Sequence, residues 1–147
     1  MVAKDIAKQI IDTFKKGNKL ILIGNGGSAT QSSHFANEFL GKYKKIRQPL
    51  PAIALTDYGC ITAISNDFGF DYIFSRPLET LGKEGDLLIT LSTSGKSSNI
   101  WQAIQVAKAK NIQVIDFPRI KGDVGEIQNY QLKLMHQIVE LVEDHFV

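Results

Sequence analysis

Residues 20–40 read LILIGNGGSATQSSHFANEFL. Leu20 to Ile23 is an unbroken apolar run, the pattern of a strand buried on both faces. Gly24-Asn25-Gly26-Gly27-Ser28 then turns the chain, and the residues from about Ser28 to Leu40 suit a helix stopped by Gly41. A strand that passes through a glycine turn into a helix offers backbone N–H groups and a positive helix end to an anion. His34 and Glu38 are four residues apart, so they point to similar sides of that helix. Such a pair suits two metal ligands, or a base and its orienting partner; the same spacing is also common on exposed helices.

Upstream, Ile6, Ile10, Ile11 and Phe14 recur at helical spacing across residues 3–16, and Gly17-Asn18 ends that helix before a strand at Lys19. Downstream, the basic connector KYKKIRQP leads to a second strand, Ala52 to Leu55. A short helix is expected near Cys60 to Ser65, a loop at residues 66–70, and a helix from about Tyr72 to Leu81. Asp86 to Leu91 is the third strand. A small-polar turn, Ser92 to Ser98, follows it, with Asn99 as the expected cap of a helix running to Ala109. Ile112 to Phe117 is the fourth strand, and residues 118–125 are irregular. The last helix runs from about Glu126 to His145, with Leu132, Met135, Val139 and Val142 as its core stripe. Strands that alternate with helices and read as continuous apolar runs imply an α/β fold. Its form is a doubly wound, three-layer parallel sheet of at least four strands. Ligands of such sheets sit outside the carboxyl ends of the strands, where both polar turns lie.

The 147 residues fit a single domain spanning 1–147. A net charge of +2 is too small to argue for nucleic acid, and no apolar run approaches a membrane span. The N-terminus lacks the apolar centre of a secretory signal. The single cysteine, Cys60, forms no intramolecular disulfide, fits a reducing cytoplasm, and reads as a small apolar filler.

Three stretches carry chemistry. Gly24-x-Gly26-x-x-Ala29 matches the looser dinucleotide fingerprint. The acidic residue that fingerprint needs, about 20 positions on, is absent, since Asp57 lies too far along. A nicotinamide enzyme is thereby disfavoured. In Ser92–Ser98, hydroxyls on Ser92, Thr93, Ser94, Ser97 and Ser98 stand between a strand and a helix, a setting that satisfies a phosphate dianion with few cations. Gly95-Lys96-Ser97 is not a P-loop, because Thr90 stands where the first glycine of that motif belongs. Gln128 and His136 lie just over two turns apart on the last helix. His136 is beside the apolar stripe, where a core histidine is the plain alternative; His145 is expected in solvent.

Taken together, GNGGSATQSSHFANEF, NDFGFDYIFSRPLETLGKEGDLL, STSGKS and Ile127-Gln128 with its eight-residue step to His136 resemble the sedoheptulose 7-phosphate isomerases (phosphoheptose isomerases) of the SIS domain superfamily, a flavodoxin-like fold. The resemblance runs from about Ile6 to Val142. It implies that Ser28, Ser92, Thr93, Ser94 and Ser97 hold a sugar phosphate and that Asn25 and Asp67 contact the sugar. Gly26, Gly27, Glu38 and Gln128 complete the implied substrate-binding set. Glu38 would be the general base and His136 the general acid. A zinc ion would be held by His34, Glu38, Gln128 and His136, and the enzyme would be a homotetramer with sites at subunit contacts.

The chain departs from the family pattern in four ways. A further N-terminal helix is absent, and residues 118–125 are too short for the usual additional strand. Gly125 stands where an aspartate is usual, with Asp123 and Glu126 nearby as substitutes, and Lys96 replaces an asparagine. The expectation is a cytoplasmic enzyme that converts sedoheptulose 7-phosphate to D-glycero-D-manno-heptose 7-phosphate through an enediol(ate), for surface polysaccharide. The alternative is a non-catalytic SIS module that binds a phosphosugar or a protein partner; the Glu38 and His136 pattern favours the enzyme.

Overall fold

The computed structural model describes residues 2–147. Four strands, β1 (Leu20–Gly24), β2 (Ala52–Ala54), β3 (Leu87–Leu91) and β4 (Gln113–Asp116), form one parallel sheet in the order β2-β1-β3-β4. The helices are α1 (Val2–Lys15), α2 (Gly27–Leu40), α3 (Tyr58–Asp67), α4 (Ser75–Leu81), α5 (Ser98–Ala109) and α6 (Val124–His145). Successive strand residues serve opposite faces. Leu20, Leu22, Leu87 and Ile89 pack with α1, α2 and α6, while Ile21, Ile23 and Leu88 pack with α4, α5 and Leu55. This is the expected α/β three-layer arrangement. Among the described residues no helix is long and apolar enough to cross a membrane.

Local chemistry moves several boundaries. The Asp57 side chain accepts from the Cys60 backbone N–H, which starts α3 at Tyr58, and the helix continues to Asp67 through residues expected in a loop. The helix expected from Tyr72 divides instead into a 3-10 turn, Phe70–Tyr72, and α4. Pro77 explains the break: it cannot donate to a carbonyl four residues back, so it is tolerated only in a first turn. Asn99 is not a cap. Ser97 holds that position, and Asn99 lies inside the first turn of α5. The final helix starts two residues early, because Asp123 and Glu126 form a reciprocal capping box.

Two further expectations are corrected. Cys60 is exposed, because α3 buries none of its residues. Leu132 is only partly buried: the inner face of α6 centres on Met135, Ile138, Val139 and Val142, flanked by the buried polar residues Gln131 and Glu143. No strand lies between β4 and α6 among the described residues, so β4 is a sheet edge, as is β2. Both edges are short, which limits pairing with other chains.

The connector after α2 is held by a buried ion pair. Arg47 and Glu143 lie 3.0 Å apart, with 0 % and 1 % of their side chains exposed. Arg47 donates to the carbonyls of Glu38, Phe39 and Gly41, the unpaired end of α2. Glu143 accepts from the backbone N–H groups of Tyr43, Lys44 and Lys45 at 2.7–2.8 Å. Burial pushes the Glu143 carboxyl up, yet these N–H groups and Arg47 outweigh it and hold the carboxyl below its ordinary value of 4.5.

Removing one partner leaves a buried charge alone, so Glu143→Ala should cost about 3 kcal/mol or more in urea unfolding. Because the folded-state value is lowered, the contribution of Glu143 is complete above 4.5. It disappears as pH falls through the lower folded value. The wild type should therefore lose stability in acid more steeply than the variant does, and parallel acid profiles would refute the assignment.

Candidate active site

The crossovers after β1 and β3 leave toward opposite faces of the sheet, α2 to one and α5 to the other. β1 and β3 are neighbours, so a crevice opens between their carboxyl ends. The two polar turns meet there. Asn25 Nδ2 donates to Asn99 Oδ1 at 2.9 Å, and Asn99 Nδ2 returns a bond to Asn25 Oδ1 at 3.0 Å. Asn99 is buried, and a reciprocal amide satisfies it where a cap position would not. Gly24 is required by close approach: a Cβ there would lie 2.8 Å from the Ser28 backbone and 2.9 Å from the Leu91 carbonyl oxygen. Gly26, the residue before α2, has φ of 56°.

In the second turn, Ser92 is buried and its Oγ accepts from the backbone N–H groups of Ser94 and Gly95. Ser94 Oγ accepts from Lys96 N–H. Two of the hydroxyls expected to hold phosphate thus also shape the turn, and they share a hydrogen bond with each other at 3.4 Å. Ser97 makes no side-chain cap bond, so its hydroxyl is free for a ligand. A cavity of about 360 Å³ lies against Ser92, Gly95, Lys96, Ser97, Trp101 and Asp116. Ser28 is buried in the first turn of α2, and Thr93 is half-buried.

The second centre lies where α2 meets α6. Ligand atoms of His34, Glu38 and His136 all fall within 4.8 Å of one another, and His34 Nε2 is 3.6 Å from Glu38 Oε1. All three are half-buried. The His136 ring meets His34 edge-on at 5.3 Å and stacks on Tyr43 at 5.3 Å, with 10° between those two planes. Two imidazoles and a carboxylate in this grouping fit zinc, which takes nitrogen and oxygen donors tetrahedrally. Gln128 borders the glycine turn. Its amide occupies the space where a Gly27 Cβ would stand, and Gln31 donates to the Gln128 carbonyl at 2.9 Å.

The remaining expected residues stand apart. Asp67 is exposed at the end of α3, where it accepts from Asn66. Asp123 and Glu126 are engaged in the α6 capping box, so they do not replace an aspartate at position 125. The cavity beside the hydroxyl turn includes neither Glu38 nor His136, and the cavity beside His136, of about 350 Å³, includes none of the serines.

Other residues at these centres had weaker signals. Gln131, fully buried, donates to the carbonyls of Ser92 and Pro118 and so ties the hydroxyl turn to α6. A polar residue inside an apolar stripe was its only trace. Arg119 beside Gly95 and Tyr43 on His136 had none, because both contacts join distant elements.

Comparison with known proteins bears on the chain as a whole. Residues 3–117 match the family model described as SIS domain. The phosphoheptose isomerase of Campylobacter concisus is 42% identical over 156 residues, a match covering 95% of this chain and 82% of that protein. The solved phosphoheptose isomerase of Francisella tularensis superposes with a TM-score of 0.92 at 29% identity, covering 97% of this chain and 85% of that one. The Neisseria gonorrhoeae enzyme gives a TM-score of 0.89 at the same identity and coverage. The chain belongs to the SIS domain family and, within it, to the phosphoheptose isomerases.

Proposed function

We propose that this enzyme interconverts sedoheptulose 7-phosphate and D-glycero-D-manno-heptose 7-phosphate in the cytoplasm, as a source of heptose for surface polysaccharide. The observation that carries the reading is the convergence of Glu38 and His136, 98 positions apart in the chain, within one 4.8 Å cluster. Moving a carbonyl from C2 to C1 begins with loss of a C1 proton, and Glu38 takes it. The electron pair forms the C1–C2 double bond, and O2 gains the proton that His136 donates. In the return half, His136 takes the O1 proton as C1=O forms, and C2 receives the proton that Glu38 holds. The hydroxyls of Ser92, Thr93, Ser94 and Ser97, with Ser28, hold the phosphate and fix the reacting carbons for these transfers. Asn25, Gly26, Gly27 and Gln128 border the sugar, and Asp67, which stands apart from them within one chain, would reach it across a contact between copies.

Zinc held by His34, Glu38, Gln128 and His136 would stabilise the enediolate charge as a Lewis acid. A site shared between copies of the chain, in a homotetramer, is supported by the separate cavities within one protomer. Exposed aromatic residues point the same way: Tyr58, Phe68, Phe70 and Trp101 are each more than half exposed.

Glu38→Gln should lower turnover by at least about a hundredfold while the heptose phosphate still binds; undiminished turnover would refute the base assignment. Metal analysis after zinc loading should find about one ion per chain, lost in His34→Ala. An unmutated protein that takes up no zinc rules that set out. Light scattering should give four times the chain mass of 16.3 kDa. A fully active monomer would reject the shared site.

A further inference from the structure

The loop after β4 carries a cation that the catalytic reading does not use. The Arg119 guanidinium spans both oxygens of Asp116, with Nη1–Oδ1 at 3.1 Å and Nη2–Oδ2 at 2.7 Å. Asp116 is itself anchored, since Thr90, fully buried on β3, donates to its Oδ1 at 2.9 Å. From there the guanidinium lies against Gly95: a Cβ at that glycine would stand 2.8 Å from Nη2 and 3.0 Å from Cζ. Arg119 Nη1 also reaches the Ser92 carbonyl at 3.5 Å. Gly95 has φ of 72°, and its N–H donates to Ser92 Oγ. A side chain at position 95 would therefore break the turn and evict Arg119.

An ion pair this open to water adds little stability. Its consequence is orientation. A planar guanidinium held at two points cannot turn, so its face is a fixed wall behind the Ser92–Ser98 turn. β4 is the sheet edge here, and among the described residues no further strand supports that turn from the same side. We propose that Arg119, held by Asp116 and Thr90, is a positioning residue that braces the phosphate-binding turn. This rests on the reading of Ser92–Ser98 as the phosphate site. The brace fixes the loop whose hydroxyls and N–H groups meet the anion; it lowers the cost of ordering that loop on binding.

Two measurements on the full chain test this: steady-state kinetics with the heptose 7-phosphate, and calorimetric binding of inorganic phosphate. Arg119→Ala should raise KM and the phosphate dissociation constant together, each by about tenfold, the worth of one hydrogen-bonded charge, with a smaller change in kcat. Arg119→Lys should recover only part, because an ammonium cannot span both Asp116 oxygens in one plane. Asp116→Asn should move both constants in the same direction by a smaller factor, and it reads the brace even where Arg119→Ala fails to fold. Unchanged constants in Arg119→Ala overturn the proposal. So does tighter phosphate binding in Asp116→Asn, which would make Arg119 a direct ligand that Asp116 restrains. Absent turnover in the unmutated protein, with phosphate binding that still weakens in Arg119→Ala, rejects the isomerase reading and keeps the brace. Absent phosphate binding in the unmutated protein overturns the brace itself.

Discussion

A guanidinium and a carboxylate, both withdrawn from water, set the geometry on which the rest depends. Arg47 closes the carbonyl end of α2, and Glu143 gathers three N–H groups from the connector that follows. Neither charge is tolerable without the other in that position. Their union fixes α2 against the far end of α6. That register puts His136 beside His34 and Glu38, and it lays Tyr43 across the His136 ring. The ion pair lies outside the His34–Glu38–His136 cluster, yet it fixes the helix packing that brings those side chains together.

A second constraint acts at the sheet. Because β1 and β3 are adjacent and send their helices to opposite faces, the glycine turn and the hydroxyl turn must meet at one crevice. The Asn25–Asn99 pair joins them there, and Gln131 ties the hydroxyl turn to α6. The layer of α2 and α6 carries His34, Glu38 and His136, the turn into α5 carries the hydroxyls of Ser92–Ser98, and a few amides keep the two in register. The reciprocal Asn25–Asn99 bonds rigidify this junction, since breaking either strands a polar group of the buried Asn99 away from water.

Much of this was legible in the chain. The glycine turn, the hydroxyl-rich turn and the apolar strands each carry their chemistry locally, so strand placement and sheet class followed from pattern alone. Helix starts were less legible. Asp57 and Asp123 cap helices two residues earlier than the apolar periodicity suggests, and Pro77 splits a helix that periodicity would join. Asn99 looked like a cap because asparagine favours caps; a buried partner across the crevice outweighed that preference. Gln131 and Glu143 interrupt the stripe of α6, and nothing local distinguishes a buried, paired polar residue from an exposed one.

The chain by itself determined the α/β class, the two turns at the carboxyl ends of the strands, and the resemblance that names Glu38 and His136. Those properties depend on residue type and short spacing, which a sequence displays directly. Only the tertiary structure decided that His34, Glu38 and His136 converge, that Gln128 rests on Gly27, and that Arg119 lies against Gly95. It also decided that the hydroxyl turn and His136 border separate cavities within one chain. Each of these joins residues far apart in the chain, and their distances follow from helix packing and sheet order, which no local pattern encodes.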